Sequence, residues 1–255
     1  MAGKLDRPLS YGMVGGGPGA FIGDVHRRAI ALDPNAKLVA GVFSRDYDNN
    51  LQTGRELLMD ESRIYRDYKE MAQKESARDD GIDFVSIVTP NVSHFDIAKT
   101  FLEAGINVVC DKPLVTELAD AEELGRLVEQ SGLLFAVTYT YTGYPVVKKA
   151  RDLVRSGALG KIRFVNAEYP QEWLATSAED ENRQASWRTD PAQSGKSNCV
   201  GDIGTHVENM VGYVTGLEID ALSARLDRSD RRRPMYSAVA SATHFPSARV
   251  ASETR

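Results

Sequence analysis

Five short apolar segments alternate with amphipathic segments through the first half of the chain, and this alternation constrains the fold more than any other feature of the sequence. The apolar segments are the predicted strands Tyr11–Gly15, Lys37–Ser44, Ile82–Val88, Ile106–Cys110 and Leu133–Thr138. The amphipathic segments are the predicted helices Ala20–Leu32, Asn50–Met59, His94–Ala104 and Thr116–Gln130. Apolar strands separated by amphipathic helices are typical of a parallel sheet covered on both faces. We therefore predict an α/β domain over residues 1–140.

The pattern changes after Tyr144-Pro145, where a second domain is predicted over residues 141–226. Its predicted parts are a helix at Val146–Ser156, a strand at Lys161–Glu168, a polar loop at Gln171–Asn198, a helix carrying Asp202 and His206, and a strand at Ile219–Leu226. Residues 227–255 are rich in Ser, Ala, Thr and Arg without clear periodicity, so we predict an irregular tail there.

Composition excludes several classes of protein. The chain has 26% charged residues, 42% hydrophobic residues and a net charge of −5, which is ordinary for a soluble globular protein and unfavourable for a nucleic-acid or anionic-membrane surface. The two cysteines, Cys110 and Cys199, lack a CxxC spacing, which favours buried thiols over a disulfide or a metal site. No stretch has the apolar length of a membrane span. We expect a cytoplasmic protein with no nucleic-acid, membrane or metal partner.

A glycine-rich run follows the first predicted strand. Residues Gly15 to Ala20 match G-x-G-x-x-A through Gly15, Gly17 and Ala20, one form of the dinucleotide fingerprint. Glycines permit a tight turn and let the backbone approach a pyrophosphate at a helix N-terminus. Because a strand precedes the run and a helix follows it, we predict nucleotide binding by a Rossmann domain.

The end of the second predicted strand bears on which nucleotide is bound. An acid there would hold the ribose 2′-hydroxyl of NAD, whereas a basic residue accommodates the 2′-phosphate of NADP. Ser44 stands at the expected position of the acid, and Arg45 beside it could pair with a phosphate. Against this, Asp46 is also close, and Arg45 could simply be a solvated side chain. The sequence therefore predicts NAD(P), with NADP slightly favoured.

Asp202 and His206 are four residues apart, a spacing that places both on one face of an α-helix. The apolar residues that follow fall on a different stripe, about a third of a turn around. A carboxylate that orients an imidazole beside a hydroxyl builds a general base near neutral pH. The alternative is an ordinary helix start, with Asp202 as a first-turn acid and His206 exposed.

Three motifs accompany the glycine loop in a fixed order along the chain. They are Thr89-Pro90-Asn91 followed by His94, Asp111-Lys112-Pro113, and the run from Gly201 to His206. Over residues 10–226 this order resembles the glucose-fructose oxidoreductase, inositol dehydrogenase and rhizopine catabolism (Gfo/Idh/MocA) family. The resemblance implies NAD(P)-dependent oxidation or reduction of one hydroxyl of a sugar, inositol or related polyol. It also implies a Rossmann domain, a second α/β domain on an open, mostly antiparallel sheet, and homo-oligomers among full-length relatives.

The resemblance assigns roles to individual residues. Lys112, Asp202 and His206 are the expected catalytic and substrate-contacting set. In this set His206 is the base, Asp202 orients it or shares a substrate hydroxyl, and Lys112 stabilises the developing alkoxide. The alternative for Lys112 is a surface lysine before a turn proline. Asp111 replaces the family's glutamate, and Gly23-Asp24-Val25-His26 resembles the end of the family's phosphate loop, displaced by a few residues. The further cofactor-contacting residues expected are Thr89, Asn91, His94, Asp111, Trp187 and Arg188, although His94 could instead cap a helix. Apart from the resemblance, Tyr141 and Tyr144 follow the last predicted strand of the first domain, where aromatic faces and hydroxyls suit a polyol, and we predict them as further substrate contacts. The alternative for these tyrosines is packing at the domain boundary.

The last part of the sequence departs from the usual pattern of this family. Family members usually continue with further strands, whereas here an arginine cluster follows Asp227. That cluster could be a nucleic-acid patch, a solvated end, or the result of a disrupted reading frame near residue 230, and the last fits best. We therefore expect a C-terminally truncated family member whose incomplete second sheet reduces its stability. A non-catalytic nucleotide-binding remnant, or a regulator that senses a sugar or NAD(P), is the alternative to an enzyme.

Overall fold

The structure, a computed structural model, describes residues 7–170, 187–188, 190–195, 199–227 and 237–241. The chain divides into two compact units between Thr138 and Tyr139. The first unit holds the glycine loop and Lys112, and the second holds Asp202 and His206.

The first unit is built on a parallel five-stranded sheet with the strand order β2-β1-β3-β4-β5. Its strands are β1 (Leu9–Gly15), β2 (Ala36–Val42), β3 (Phe84–Val88), β4 (Asn107–Cys110) and β5 (Phe135–Val137). Its helices are α1 (Phe21–Ala31), α2 (Tyr47–Glu56), α3 (Tyr68–Ser76), α4 (His94–Glu103) and α5 (Leu118–Ser131). This arrangement confirms the predicted α/β fold with a parallel sheet.

The sheet extends beyond β2 by a single parallel bridge between Gly41 and Ile64. The Tyr65 N–H donates to the Gly41 carbonyl at 3.0 Å, so the chain after α2 returns to the outer edge of β2. The order of the strands reverses between β1 and β3, and open α/β sheets bind ligands at such a reversal, outside the carboxyl ends of the strands.

Helix α3 is not predicted by the sequence pattern. Only Met71 and Ala72 supply buried apolar side chains among its nine residues, so its hydrophobic periodicity is weak. Its start is instead fixed by Asp67, whose carboxylate accepts hydrogen bonds from the N–H groups of Lys69 and Glu70.

The second unit contains helices and one antiparallel strand pair among its described residues. Its elements are α6 (Pro145–Arg155), α7 (Pro191–Ser194), a π-helical turn (Val200–Gly204), α8 (Thr205–Thr215), β6 (Ser223–Asp227) and β7 (Ser237–Ser241). The Arg151 guanidinium of α6 donates to the Tyr213 hydroxyl of α8 at 2.6 Å and lies over its ring, which joins the two longer helices.

Two predictions for the second unit are wrong. Residues 161–168 form no strand, because no segment in the described part of the unit offers them backbone hydrogen-bonding partners. Within the predicted irregular tail, Ser237–Ser241 is a strand that pairs with Ser223–Asp227 from Ser223 opposite Ser241 to Asp227 opposite Ser237. Most of the predicted loop at 171–198 and the arginine cluster after Asp227 lie outside the described residues.

No helix within the described ranges is long and apolar enough to cross a lipid bilayer.

Candidate functional site

The glycine loop connects β1 to α1 with backbone that other residues rarely adopt. Gly15, Gly16 and Gly19 have φ of 91°, 79° and 73°, in the left-handed region that glycine tolerates. A Cβ on Gly15 would lie 2.6 Å from the Val88 carbonyl oxygen, and one on Gly17 would lie 2.6 Å from that of Phe43. The predicted Gly15 and Gly17 are therefore required because the loop lies against the ends of β3 and β2.

A further glycine, Gly23, packs the first turn of α1 against the loop. A Cβ on Gly23 would lie 2.3 Å from the Gly16 Cα, so this glycine lets the first turn of α1 pack on the loop. Ala20 closes the turn with a backbone hydrogen bond of 3.0 Å to the Gly17 carbonyl. Gly23 is part of the Gly23-Asp24-Val25-His26 segment that the sequence indicated as a displaced end of the phosphate loop, and it lies three residues after Ala20.

The residues after β2 are held by local hydrogen bonds. The Asp46 carboxylate caps α2 by accepting from the N–H groups of Asp48 and Asn49 at 2.8 and 3.3 Å. The Ser44 hydroxyl accepts from the Asp46 N–H at 3.1 Å, and Arg45 is exposed. Asp46 is therefore engaged as a helix cap, while Arg45 forms no ion pair with any described carboxylate.

The loop after β3 carries Thr89, Asn91 and His94. The Ser93 hydroxyl donates to the Thr89 hydroxyl at 2.8 Å, and Asn91 is buried. His94 is fully buried, with Nδ1 2.8 Å from the Pro113 carbonyl oxygen and Nε2 2.9 Å from that of Thr89. His94 thus connects the loop after β3 to the loop after β4, and its imidazole has no exposed edge for a direct contact with a cofactor.

Asp111 and Lys112 follow β4. The Thr138 hydroxyl donates to Asp111 Oδ1 at 3.0 Å, and His26 Nε2 lies 3.7 Å from the same oxygen. Burial raises the pKa of Asp111, but His26, Thr138 and the charge of Lys112 outweigh it, so the net pKa lies below the ordinary value. Lys112 itself is half-buried.

The predicted cofactor residues of the first unit therefore lie at one edge of its sheet. The loops after β1, β2, β3 and β4 all leave the carboxyl ends of parallel strands. This is the edge at which open α/β sheets bind nucleotides.

In the second unit, His206 lies among aromatic rings. It is buried, its ring centroid lies 4.6 Å from that of Tyr141, and Tyr139 meets it edge-on at 5.7 Å. Burial raises the pKa of Tyr139, the nearby charge of Glu208 adds to that effect and a hydrogen bond with Thr205 opposes it. The exposed histidine of the alternative prediction is therefore wrong.

Asp202 lies within the π-helical turn, and His206 is the second residue of the α-helix that follows. A π-helical turn is wider than an α-helical turn. The prediction that a spacing of four residues places Asp202 and His206 on one helix face therefore holds only in part. Asp202 Oδ2 is 3.5 Å from Arg188 Nε, and the Arg188 guanidinium lies over the Trp187 ring at 4.3 Å. The predicted Trp187 and Arg188 are thus brought to the predicted Asp202.

Tyr169 is a member of this cluster that the sequence did not indicate. Its hydroxyl lies 2.7 Å from that of Tyr141, and their ring centroids are 5.7 Å apart. This hydrogen bond and partial burial raise the pKa of Tyr141 to about 12. Tyr144 packs edge-on against Tyr141 with its centroid 6.0 Å away and is itself exposed. No sequence spacing links Tyr169 to Tyr141, since the contact depends on the path of the chain after α6.

Two family models match the chain. The oxidoreductase family with an NAD-binding Rossmann fold (GFO_IDH_MocA) matches residues 9–139. The GFO/IDH/MocA C-terminal domain matches residues 147–253. The second match overturns the interpretation that residues after 230 are foreign to the family.

Individual proteins agree with these matches. Uncharacterized oxidoreductase YfiI of Bacillus subtilis is 38% identical over 208 residues, which are 81% of this chain and 53% of the relative. Levoglucosan dehydrogenase of Pseudarthrobacter phenanthrenivorans is 31% identical over 241 residues, which are 92% of this chain and 58% of the relative. The chain thus spans little more than half the length of these relatives.

Among solved structures, an inositol dehydrogenase homolog complexed with NAD+ from Azotobacter vinelandii superposes with a TM-score of 0.87 at 35% identity, covering 91% of this chain and 60% of that one. The family matches and this structure confirm the predicted Rossmann fold and NAD(P) as its cofactor class. The chain belongs to the GFO/IDH/MocA oxidoreductase family.

Proposed function

We propose that this chain is an NAD(P)-dependent oxidoreductase acting on one hydroxyl of a sugar, inositol or related polyol. The observation that carries the proposal is the carboxyl edge of the parallel sheet, where the glycine loop leaves β1 and Lys112 follows β4, with only β3 between these two strands. A loop shaped for a pyrophosphate beside a lysine suited to an alkoxide is an arrangement for hydride transfer.

The glycine loop fits a dinucleotide. Side chains at Gly15, Gly17 or Gly23 would fill the space between the loop, the strand ends and α1. The backbone can therefore come close to a pyrophosphate, and the first turn of α1 supplies N–H groups and a partial positive charge. We infer that these residues, with the loops after β3 and β4, hold the cofactor.

We further propose NADP(H) as the preferred form. The Asp46 carboxylate is occupied in capping α2, whereas the Arg45 guanidinium is exposed. A guanidinium is suited to a 2′-phosphate, and an engaged carboxylate is poorly placed to accept from a ribose hydroxyl. Arg45→Ala should weaken the binding of NADPH and leave that of NADH nearly unchanged. Equal losses for both nucleotides would contradict this preference.

A bound nicotinamide supplies or accepts the hydride, and the protein groups manage the proton and the charge. We propose that His206 takes the hydroxyl proton as the carbonyl forms, with Asp202 orienting it. Asp202 is itself held by Arg188 at 3.5 Å, which supports a fixed carboxylate. The Lys112 ammonium would stabilise negative charge on the reacting oxygen.

The substrate class rests on the aromatic cluster around His206. Aromatic faces with hydroxyl groups, here Tyr139, Tyr141 and Tyr169, suit the apolar faces and hydroxyls of a polyol. A levoglucosan dehydrogenase and an inositol dehydrogenase homolog among the relatives support the same class. Tyr144, exposed beside Tyr141, is the further substrate contact that we propose.

The test is a panel of sugars, anhydrosugars and inositols assayed by the absorbance of reduced nicotinamide. We expect turnover on at least one compound, and we expect His206→Ala to lower kcat by about 10²–10⁴. Lys112→Met should lower kcat/KM on the same substrate. Lys37→Met is the matched control, because Lys37 is exposed near the amino end of β2, at the opposite edge of the sheet.

Two results would contradict the proposal in different ways. Dinucleotide binding without turnover on any compound would point to a non-catalytic nucleotide-binding protein. Absence of dinucleotide binding would show that the proposed NAD(P) cofactor is wrong.

A further inference from the structure

One peptide plane in the glycine loop is held at both ends by side-chain and backbone groups outside the loop. The Gly16 carbonyl accepts a hydrogen bond from Arg27 Nη1 at 2.9 Å. The Gly17 N–H, on the other side of the same peptide bond, donates to the Phe43 carbonyl at 3.1 Å. The orientation of the Gly16–Gly17 peptide is thus fixed between α1 and the end of β2.

Arg27 reaches this peptide because side chains on a helix point back toward its N-terminus. The guanidinium lies under the loop, where Nη1 also contacts Met13 Sδ at 3.5 Å and Nη2 lies 4.0 Å from Asp24. The Arg27 side chain is only 18% exposed. Its neighbour Arg28 is 81% exposed and pairs with Asp24 at 2.8 Å on the outer face of α1.

A flexible peptide at this position would weaken anion binding. Gly16 has φ of 79°, and glycine on either side permits the peptide to rotate. Rotation would break both hydrogen bonds and turn the Gly16 carbonyl oxygen toward the Phe43 carbonyl oxygen, so the loop would lose the shape that lies against the strand ends. A guanidinium that stays charged at all ordinary pH values prevents this by holding the carbonyl oxygen on the α1 side.

We propose that Arg27 is the positioning residue of the cofactor loop. It holds the Gly16–Gly17 peptide in one orientation before the cofactor binds, and its charge favours a diphosphate across the loop. The proposal rests on the function proposed above and adds a residue outside the glycine fingerprint. It explains why a partly buried cation lies under a loop made almost wholly of glycine.

The test compares Arg27→Ala, Arg27→Gln and Arg27→Lys with the control Arg28→Gln. Binding of NADH and NADPH is measured by fluorescence titration well below the melting temperature of each variant. We expect Arg27→Ala and Arg27→Gln to bind both nucleotides roughly tenfold or more weakly, the typical effect of losing a hydrogen bond to a charged group. Arg27→Lys keeps the charge and one donor and should recover part of the loss, while Arg28→Gln should bind as the parent does.

A second measurement follows the peptide itself without any cofactor. Amide hydrogen exchange at Gly17 should become faster in Arg27→Ala and stay unchanged in Arg28→Gln, since only the first variant frees the peptide to rotate. A merely stabilising role for Arg27 would lower the melting temperature without selectively exposing the Gly17 amide.

The outcomes separate this proposal from the function on which it rests. If the parent protein binds neither nucleotide, the proposed function fails. If the parent binds and Arg27→Ala binds within about twofold of Arg28→Gln, the positioning role is overturned. Unchanged Gly17 exchange in Arg27→Ala would overturn it as well.

Discussion

At the scale of single residues, His94 shows how a buried side chain supports a site that it does not touch. Both of its ring nitrogens face carbonyl oxygens, one at the end of the loop after β4 and one at the end of β3. The side chain therefore couples the position of the loop that bears Lys112 to that of the Thr89 loop.

Replacing His94 with alanine should destabilise the first unit strongly. The change leaves two buried carbonyl groups without their partner and opens a cavity, so we expect a loss of about 3–5 kcal/mol in the free energy of unfolding. Urea denaturation followed by circular dichroism measures this loss. A loss below about 1 kcal/mol would mean that water or a shifted loop replaces the imidazole.

Asp111 should make stability depend on pH in the acid range. Its pKa is below the ordinary 3.8 because His26 and Thr138 outweigh the effect of burial. Its stabilising contribution is therefore complete above 3.8 and is lost as pH falls through the lower pKa of the folded state. As pH falls from the ordinary pKa to the lower pKa of the folded state, the free energy of unfolding of the parent should fall more steeply than that of Asp111→Asn. The control is Asp33→Asn at an exposed position, and equal slopes in parent and Asp111→Asn would contradict the assignment.

The sequence predicted which residue types form the candidate site better than it predicted their partners. Lys112 and Asp111 could be placed because a strand and a turn proline surround them. The pairing of Asp202 with Arg188 and that of Tyr141 with Tyr169 could not, because each joins segments far apart in the chain. Arg27 has no motif of its own, and its role depends on the distance from one nitrogen to one carbonyl.

At the scale of elements, the contact between α1 and the glycine loop requires that Gly23 has no side chain. The Cβ of Gly23→Ala would lie 2.3 Å from the Gly16 Cα, so the helix or the loop must move. We expect a loss of about 1–3 kcal/mol in the free energy of unfolding together with weaker dinucleotide binding. The matched control is Gly125→Ala in α5, where nothing lies within 4 Å of the new Cβ. That variant should be more stable than the parent by about 0.5–1 kcal/mol, and a similar gain in Gly23→Ala would contradict the close packing.

Elements were predictable from the sequence where they bury a continuous apolar face. The strands of the parallel sheet and helix α4 have such faces, and their predicted positions agree with the structure to within a few residues. Helix α3 was missed because it begins at the Asp67 cap and buries only two apolar side chains, Met71 and Ala72, which are too few to show a helical period. The strand predicted at 161–168 was wrong because alternating apolar and polar residues show only that a segment can form a strand. A strand also needs a neighbouring segment that pairs with its backbone.

At the scale of the whole molecule, the described parts of the two units differ in how many large apolar side chains they bury. The clustered core residues of the first unit all lie between Tyr11 and Phe135, so this core is formed by one continuous stretch of chain. In the described part of the second unit, Ile203 is the one large apolar side chain that is buried, and it is 9% exposed. Val146 and Phe164 there are 75% and 83% exposed.

This difference should appear as two unfolding transitions. Burial contributes about 25 cal/mol per Å² of apolar surface, so the unit with the smaller core should melt at the lower temperature. We expect scanning calorimetry of the chain to show a weak early transition and a stronger late one. A fragment of residues 1–138 should keep the late transition alone and should still bind the dinucleotide, since its core and its glycine loop are both complete. A single transition whose calorimetric and van't Hoff enthalpies agree would instead mean that the two units unfold together, and an unfolded fragment would mean that the first unit depends on the second.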